Sequence, residues 1–339
     1  MIRRTSRPGR PGARQEPAST PRRRAPIPWV GGIVDRVDIC IVTCRRPRSL
    51  RRLFGSLQEL RTLEPYSVRV VVVDNDVDES ARAVCLEAAT WLAWPLHYTT
   101  EKQRGIPHAR NKALAAALPH ADFVAFLDDD ETPGPDWLAQ LLRTRAAHEA
   151  DAVTGPALPV FETPPARWIL ESGLFDGPRH PTGTPVDVAY TNNVLVSTKA
   201  LGQMPALFDE RLALTGSSDS EFFTRFTRAG HTIVWCDEAR THEWIPYTRA
   251  RLAWLLRRAL RTGSTQSVIE RRAGMRRAPL RIVAHGLWCI ARGLGTALVR
   301  LPLDHGAAAR GCALAAAGVG RLAGLTGWAY PEYREIHGA

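Results

Sequence analysis

Apolar and polar positions follow two alternating patterns over the first half of the chain. Short runs that are apolar at nearly every position predict strands at 37–44, 68–74, 96–100 and 122–128. Segments with apolar residues at helical spacing predict helices at 46–60, 79–92, 106–118 and 135–148. A strand that is apolar on both faces is typically covered on both faces. The alternation therefore predicts an α/β fold, a mostly parallel sheet with helices on both faces.

The pattern becomes less regular after residue 151. We expect strands at 151–161, 193–197 and 231–237, helices at 218–230 and 249–263, and a loop rich in Pro and Gly at 162–190. Two long apolar segments follow within 279–330, but Arg292 and Arg300 interrupt the first and Arg321 interrupts the second. A membrane span needs about 20 mostly uncharged residues. Two interpretations stay open: helices that lie at a membrane interface, and a helical hairpin that completes the core.

The N-terminal segment has a different composition. Residues 1–28 contain eight arginines, one glutamate and six prolines, so this segment supplies +7 of the net charge of +11. With few apolar residues it cannot offset the entropy of ordering, which predicts a disordered basic tail over 1–34. The segment lacks the apolar stretch of a secretory signal. A tail that contacts an anionic lipid or another polyanion is one interpretation, and a solvated tail is the favoured one.

The cysteines indicate the compartment. Six are present, with no C-x-x-C pair and no histidines at zinc-binding spacing. Several lie in apolar stretches, where a free thiol behaves as a small hydrophobic group. We therefore expect a cytoplasmic protein without a disulfide framework, with peripheral contact at the inner face of the cell membrane as an open alternative.

Four adjacent carboxylates, from Asp128 to Glu131, follow the strand at 122–128 directly. Close pairs of like charges repel by about 1 kcal/mol even in water, so the cluster calls for a positive partner. Ligands of parallel sheets bind at the carboxyl ends of the strands, where residues 43–46 and 74–76 are also expected. Hard oxygen ligands favour Mg²⁺ or Mn²⁺. A helix N-terminus would account for one or two acidic residues but not for four, so we favour a metal.

Several motifs are absent from the sequence. There is no Walker loop, no G-x-G-x-x-G after the first strand, no G-x-S-x-G and no H-E-x-x-H. This leaves P-loop nucleotidases, dinucleotide-dependent dehydrogenases, serine hydrolases of the α/β class and zinc peptidases poorly supported.

The combination of segments resembles a known family, the inverting family 2 glycosyltransferases with the GT-A fold. The forms VVDND and LDDDE resemble bacterial exopolysaccharide glucosyltransferases of the succinoglycan type. The segments that match in order and spacing lie between about 37 and 262; they are VDICIVTCRRPRSLRRLFGSL, VVVVDNDVDESA, GIPHARNKAL, FVAFLDDDETPGPDWL, TNNVLVS and GSSDSEFFTRFTRAGH.

The resemblance implies roles for these residues. Asp128 and Asp130 take the first and third places of the family's D-x-D motif. Asp130 would bind the metal that bridges the donor's diphosphate, and Asp128 or Asp129 would reach the ribose or the metal's water shell. The remaining donor-binding positions that we assign are Thr43, Arg45, Asp74, Asn75 and Arg110.

A catalytic base is also implied. Asp219 matches the carboxylate that takes the proton from the acceptor hydroxyl. Ser218 stands where many members carry an acidic residue, which is a departure from the family. Asp219 as a simple helix N-cap is the alternative. His242, expected just after a strand, is a weaker candidate as a further metal ligand, and the arginines of the helix at 249–263 either hold a diphosphate or form a solvated face.

These inferences predict three regions. The tail at 1–34 precedes a GT-A domain at 35–262, with the nucleotide-sugar-binding half at 35–131 and the acceptor half at 132–262; amphipathic helices occupy 263–339. The expected activity is metal-dependent, inverting transfer of a sugar from a nucleotide-diphospho-sugar to a saccharide or lipid-linked acceptor of a cell-surface glycan. One alternative is an inactive protein that only binds a nucleotide sugar. A nucleic-acid binder is the weakest alternative, because basic and aromatic residues do not interleave, and we expect no nucleic-acid partner.

Overall fold

The computed structural model describes residues 34–61, 64–213, 215–272, 278–328 and 330. The tail predicted at 1–34 lies outside the described residues, apart from Val34.

The larger sheet has seven strands. In chain order they are β1 (Arg36–Thr43), β2 (Ser67–Asp74), β3 (Leu96–Thr100), β4 (Phe123–Asp128), β6 (Ala152–Thr154), β8 (Asn193–Ser197) and β9 (Ile233–Trp235). Their order in the sheet is β3-β2-β1-β4-β8-β6-β9. All pairs are parallel except those of β8, which runs antiparallel to both β4 and β6. The predicted mostly parallel sheet is confirmed, and the reversed strand is an addition to it.

A smaller sheet lies beside the first. It contains β5 (Glu131–Pro133), β7 (Ala157–Phe161) and β10 (Thr241–Ile245), with β10 in the centre. β5 begins at Glu131, the last residue of the acidic run, and pairs antiparallel with β10, so that Glu131 lies opposite Glu243. This pairing brings the end of β4 next to a strand more than 100 residues later in the chain. The sequence did not predict β5 or β10, because both are short and neither alternates clearly.

Helices cover both faces of the larger sheet. In chain order they are α1 (Pro47–Gln58), α2 (Arg82–Ala88), α3 (Ile106–Ala117), α4 (Trp137–His148), α5 (Arg167–Ser172), α6 (Thr198–Gly202) and α7 (Ser218–Arg228), with a 3₁₀ turn at Glu210–Leu212. Ile39 and Ile41 face one hydrophobic cluster, which includes α1, α2 and α4, while Cys40 faces a second cluster with α3 and α7. Successive strand residues point to opposite faces, so an unbroken apolar strand supplies both clusters.

Three further helices follow the sheets: α8 (Leu252–Arg272), α9 (Ala278–Arg300) and α10 (His305–Gly324). α8 runs past residue 262, where the sequence had suggested the boundary of the catalytic domain. α10 lies between α8 and α9. A Cβ on Gly320 would lie 2.0 Å from the carbonyl oxygen of Leu260, and a Cβ on Gly293 would lie 2.6 Å from that of Gly311. These glycines therefore allow the helix backbones to approach closely.

Candidate active site

A cavity of about 860 Å³ opens at the carboxyl ends of β1 and β4. The acidic run after β4 lines one side, and α7 contributes Asp219. Asp130 and Asp219, which the sequence separates by almost 90 residues, therefore lie in one cavity. Residues of the loop between α5 and β8 and of α8 complete the wall, among them Phe175, Tyr190 and Trp254.

Both carboxylate oxygens of Asp129 accept hydrogen bonds. Thr43 donates its hydroxyl hydrogen bond to Oδ2 of Asp129 at 2.7 Å, and Nη1 of Arg46 donates to Oδ1 at 2.8 Å. Its side chain is almost fully buried. Burial raises the pKa of Asp129, and the charge of Arg46 opposes this rise. Asp129 thus fixes the end of β4 to the end of β1 and has little capacity left for a ligand.

Asp130 is held by two arginines from distant parts of the chain. Its Oδ2 accepts hydrogen bonds from Nη1 of Arg46 at 3.1 Å and from Nη1 of Arg249 at 3.0 Å. Nη1 of Arg249 also lies 3.5 Å from Oε1 of Glu243, which faces the same cavity from β10. The positive partner that the acidic run requires is therefore supplied by guanidinium groups within the chain itself.

Asp128 lines the cavity next to Arg110, and 44% of its side chain is exposed. The distance between Nη2 of Arg110 and Oδ1 of Asp128 is 3.9 Å. Partial loss of solvation inside the cavity raises the pKa of Asp128 to about 7; Arg110 opposes the rise, and the charges of Asp130 and Asp129 add to it. A cation that binds next to a carboxyl group with a raised pKa stabilises the charged form of that group. Asp128 is therefore a favourable contact for a cation.

Arg110 also contacts the helix that carries Asp219. Its Nη1 donates a hydrogen bond to Oγ of Ser218 at 3.0 Å. Ser218 is buried and is the first residue of α7, so the contact sets the position of this helix end. Arg110 is itself 6% exposed, and a buried guanidinium strongly favours a nearby carboxylate. The serine that departs from the family pattern thus accepts a hydrogen bond that orients Arg110 between Asp128 and α7.

Asp219 lies in the first turn of α7. Its Oδ1 accepts a hydrogen bond from the backbone N–H of Ser220 at 2.8 Å. Ser217 occupies the N-cap position with a φ of 62°, and its side chain makes no capping hydrogen bond. Asp219 is therefore not the N-cap, and its carboxylate lines the cavity.

Asp74 and Asn75 hold loops together. Asp74 is fully buried and accepts hydrogen bonds from the backbone N–H groups of Ala81 and Asp76 and from the hydroxyl of Tyr98. The amide of Asn75 donates to the carbonyls of Glu101 and Gln103 and accepts from the backbone N–H of Gly105. Of the two side chains, Asn75 lines the cavity and Asp74 does not.

Besides Asp74, two further predicted site residues lie outside the cavity. Arg45 has a φ of 56° and points away, towards Asp76 and Asp78. The sequence had assigned Arg45 to donor binding, whereas of these two neighbours Arg46 is the arginine that contacts the acidic run. His242 lies within β10 rather than after a strand, and it does not line the cavity, whereas Glu243 does. Adjacent strand residues face opposite sides, and nothing in the sequence indicated which of the two faces inward.

Aromatic and basic residues form another part of the cavity lining. The rings of Phe175 and Trp254 stack with centroids 6.0 Å apart and 1° between their planes. The guanidinium of Arg258 lies 5.5 Å from the ring centroid of Trp254. Arg258 and Arg261 line the cavity, whereas Arg257 is exposed outside it. The basic helix predicted from the sequence thus has one side in the site and one in solvent.

The carboxylates fit a divalent cation of the magnesium type. Among residues of the described ranges, no group of three His, Cys, Asp or Glu side chains forms a preassembled metal site. Mg²⁺ and similar ions need only one or two carboxylates when substrate phosphates complete the coordination shell. Asp128 and Asp130 supply hard oxygens in the same cavity, with Glu243 nearby, and these are the residues that would hold such an ion.

Comparison with known proteins identifies the family. Residues 38–203 match the family model described as glycosyl transferase family 2. The succinoglycan biosynthesis protein ExoM of Rhizobium meliloti (strain 1021) is 36% identical over 246 residues, which cover 71% of this chain and 78% of the relative. The chain belongs to glycosyl transferase family 2. This family 2 glycosyltransferase is thus an enzyme related to a protein of exopolysaccharide biosynthesis.

Solved structures share the fold of this family 2 enzyme. The mannosyltransferase PcManGT from Pyrobaculum calidifontis, solved in complex with GDP-Man and Mn²⁺, has a TM-score of 0.58 at 19% identity, covering 86% of this chain and 88% of that chain. Residues 1–349 of S. aureus TarS give a TM-score of 0.50 at 17% identity and cover 84% of this chain and 90% of that one. At these identities the likeness concerns the fold alone, which is GT-A-like with the C-terminal helices α8–α10 added.

Proposed function

We propose that this glycosyltransferase moves a sugar from a nucleotide-diphospho-sugar to a hydroxyl group of a saccharide or lipid-linked acceptor, with inversion at the anomeric carbon and with Mg²⁺ or Mn²⁺ as cofactor. The observation that carries the proposal is the shared cavity: Asp128 and Asp130 line one side, and Asp219 lines it from α7. Kinship with ExoM supports a role in the assembly of a cell-surface polysaccharide. Free thiols at all six cysteines support a cytoplasmic location.

The donor would bind at the acidic side of the cavity. PcManGT, which shares the fold, was solved with GDP-Man and Mn²⁺, and this supports a nucleotide sugar and a divalent ion as ligands here. When bound, the ion supplies positive charge to the departing diphosphate. Arg110 is already charged and buried beside Asp128, so it can stabilise the same negative charge without reorganisation.

The acceptor would bind at the aromatic and basic side. Stacked rings of Phe175 and Trp254 offer apolar faces of the kind on which sugar rings pack. The acceptor hydroxyl oxygen attacks the anomeric carbon, the bond from that carbon to the diphosphate oxygen breaks, and the hydroxyl proton passes to the carboxylate of Asp219. The nucleoside diphosphate leaves with the electron pair. Ser218 and Arg110 keep the first turn of α7 in place during this step.

A screen of nucleotide sugars tests the proposal. Purified full-length protein is mixed with Mn²⁺ and individual UDP-, GDP- and dTDP-sugars, and both thermal stabilisation and hydrolysis of each sugar are measured. We expect one donor to raise the unfolding temperature and to be hydrolysed slowly, and we expect both effects to disappear with EDTA.

Two outcomes would contradict parts of the proposal. Donor binding that is unchanged by EDTA would exclude the metal role of Asp130. A donor that binds but is neither hydrolysed nor transferred to any saccharide or lipid-linked acceptor would indicate a binding protein instead of an active transferase.

A further inference from the structure

The outer face of α9 exposes a row of leucines. Leu280, Leu287, Leu294 and Leu298 have exposed fractions of 71%, 54%, 58% and 78%. Their spacings of seven, seven and four residues place them on one side of the helix. No described part of the chain covers this side. Contiguous exposed apolar surface of this kind is typical of an interaction site.

The opposite face of α9 is already packed. Ile282, Gly286, Cys289 and Gly293 lie against α10, and Gly286 and Gly293 leave no room for a Cβ beside Leu322 and Ala315. α9 is thus fixed along its length, and its exposed leucines are not the result of a helix that has failed to dock. A second partner for α9 must come from outside the described chain.

The charges around this face have one sign. From residue 278 to residue 303 there is no Asp or Glu, whereas Arg281, Arg292 and Arg300 are present and exposed. Arg281, Trp288 and Arg292 lie at one edge of the leucine row, and the guanidinium of Arg292 lies 5.5 Å from the ring centroid of Trp288. Trp and Arg next to an apolar face are the residues that anchor a helix at the headgroup level of a bilayer.

The packing of α9 determines whether it can cross a bilayer or only lie along its surface. Among the described helices, only the segment Pro279–Arg300 is long and apolar enough to cross a bilayer, and 22% of its most apolar window is buried. Crossing would place Arg292 in the hydrocarbon region, where a charged side chain is unfavourable. α10 also ties α9 lengthwise to α8 and α5, and these belong to the body that contains the cavity. A helix held in this way lies along a surface.

We propose that α9 docks onto the surface of an anionic lipid bilayer, with Leu280, Leu287, Leu294 and Leu298 in the acyl boundary and Arg281, Trp288 and Arg292 among the headgroups. A second copy of the chain is disfavoured as the occupant, because two such faces would bring basic edges together without any acidic residue to pair with them.

Flotation with lipid vesicles tests the proposal on the full chain. We expect the protein to float with phosphatidylcholine vesicles that contain 30% phosphatidylglycerol and to bind pure phosphatidylcholine vesicles several-fold less. The variant Leu287→Gln/Leu294→Gln/Leu298→Gln should lower the partition coefficient by about tenfold or more, because each leucine adds apolar area to the bound state. All three residues are exposed, so the unfolding temperature should not change. Leu86→Gln, at a 61% exposed leucine of α2, is the matched control and should bind as the parent does.

The basic edge and the oligomeric state are tested separately. Arg281→Gln/Arg292→Gln should lower binding to anionic vesicles only. The weak binding to neutral vesicles should stay unchanged. The proposal is overturned if the parent does not float, if the leucine variant floats as well as the parent, or if light scattering detects a dimer that this variant dissociates. The last result would assign the face to a second copy.

Discussion

Arg249 donates a hydrogen bond of 3.0 Å to Oδ2 of Asp130, although 119 residues separate them in the chain. The same oxygen accepts a second hydrogen bond from Arg46. A carboxylate that is assigned to a metal ion is therefore neutralised by guanidinium groups when no ion is bound. Because Arg249 lies three residues before the start of α8, this contact also joins the acidic run to the C-terminal helices.

This contact predicts the effect of Arg249→Gln on metal affinity. Removing one positive charge about 3 Å from Asp130 lowers the repulsion of an incoming cation, so Mn²⁺ should bind about tenfold more tightly in the absence of donor. Calorimetric titration of Mn²⁺ measures the change. Arg251→Gln is the control, since Arg251 is exposed and lies over the ring of Tyr247. Equal affinities in the parent and both variants would remove Asp130 from the metal site.

Asp219→Asn tests the catalytic base. The amide keeps the size and the hydrogen bond from Ser220 but cannot take a proton, so the transfer rate should fall by about 10²–10⁴-fold. Donor affinity, measured by thermal shift, should remain within about twofold of the parent, since the proposed donor contacts are made by other residues of the cavity. Asp187→Asn serves as the control, because Asp187 also lines the cavity. If only the Asp187 variant loses activity, the base has been misassigned.

We expect Asn75→Ala to destabilise the folded protein, and not merely to remove a contact with the nucleotide-sugar donor. The substitution leaves the carbonyls of Glu101 and Gln103 and the N–H of Gly105 without their partner. We expect the free energy of unfolding to fall by about 2–3 kcal/mol. Urea denaturation measures this loss. Gln58→Ala, which removes a single exposed hydrogen bond to Ala93, should cost under about 1 kcal/mol. Similar stabilities for the two variants would contradict the structural role of Asn75.

The environment of Glu131 predicts that the stability of the folded protein depends on pH. Burial raises the pKa of Glu131 well above its usual value, with the charges of Asp128 and Glu243 adding to the shift. Oε1 accepts a hydrogen bond from Asn192, whereas Oε2 is buried with no hydrogen-bond partner among the described residues. Below about pH 4 the carboxyl is protonated in both states. As the pH rises, the unfolded state releases its proton first, so the stability contributed by the protonated group declines.

The variant Glu131→Gln removes this decline. In metal-free buffer its unfolding temperature should exceed that of the parent by an amount that grows between pH 5 and pH 8, because the amide has no proton to lose. Differential scanning calorimetry at several pH values measures the difference. Glu59→Gln, at an exposed glutamate, should follow the parent at every pH. A difference that is constant with pH would show that Glu131 is already ionised in the folded protein.

Several strands of the larger sheet could be predicted closely because their signal is local. The run at 96–100 coincides with β3, and the run at 193–197 coincides with β8. The antiparallel direction of β8 and the existence of β5 and β10 could not be predicted, since both depend on which distant strand is available for pairing. His242 illustrates the consequence. Its orientation away from the cavity follows from its position in β10, and the sequence did not predict this strand.

The sequence by itself determined the alternating strands and helices, the acidic run at the end of β4 and the resemblance to family 2 glycosyltransferases, because periodicity and short motifs are properties of neighbouring residues. Tertiary structure alone decided that Arg46 and Arg249 meet at Asp130, that Arg110 reaches Ser218 at the start of α7, and that the leucines of α9 face outward. These relationships depend on side chains that the fold brings together from distant segments. Their partners become defined only when the sheet register and the helix packing are fixed.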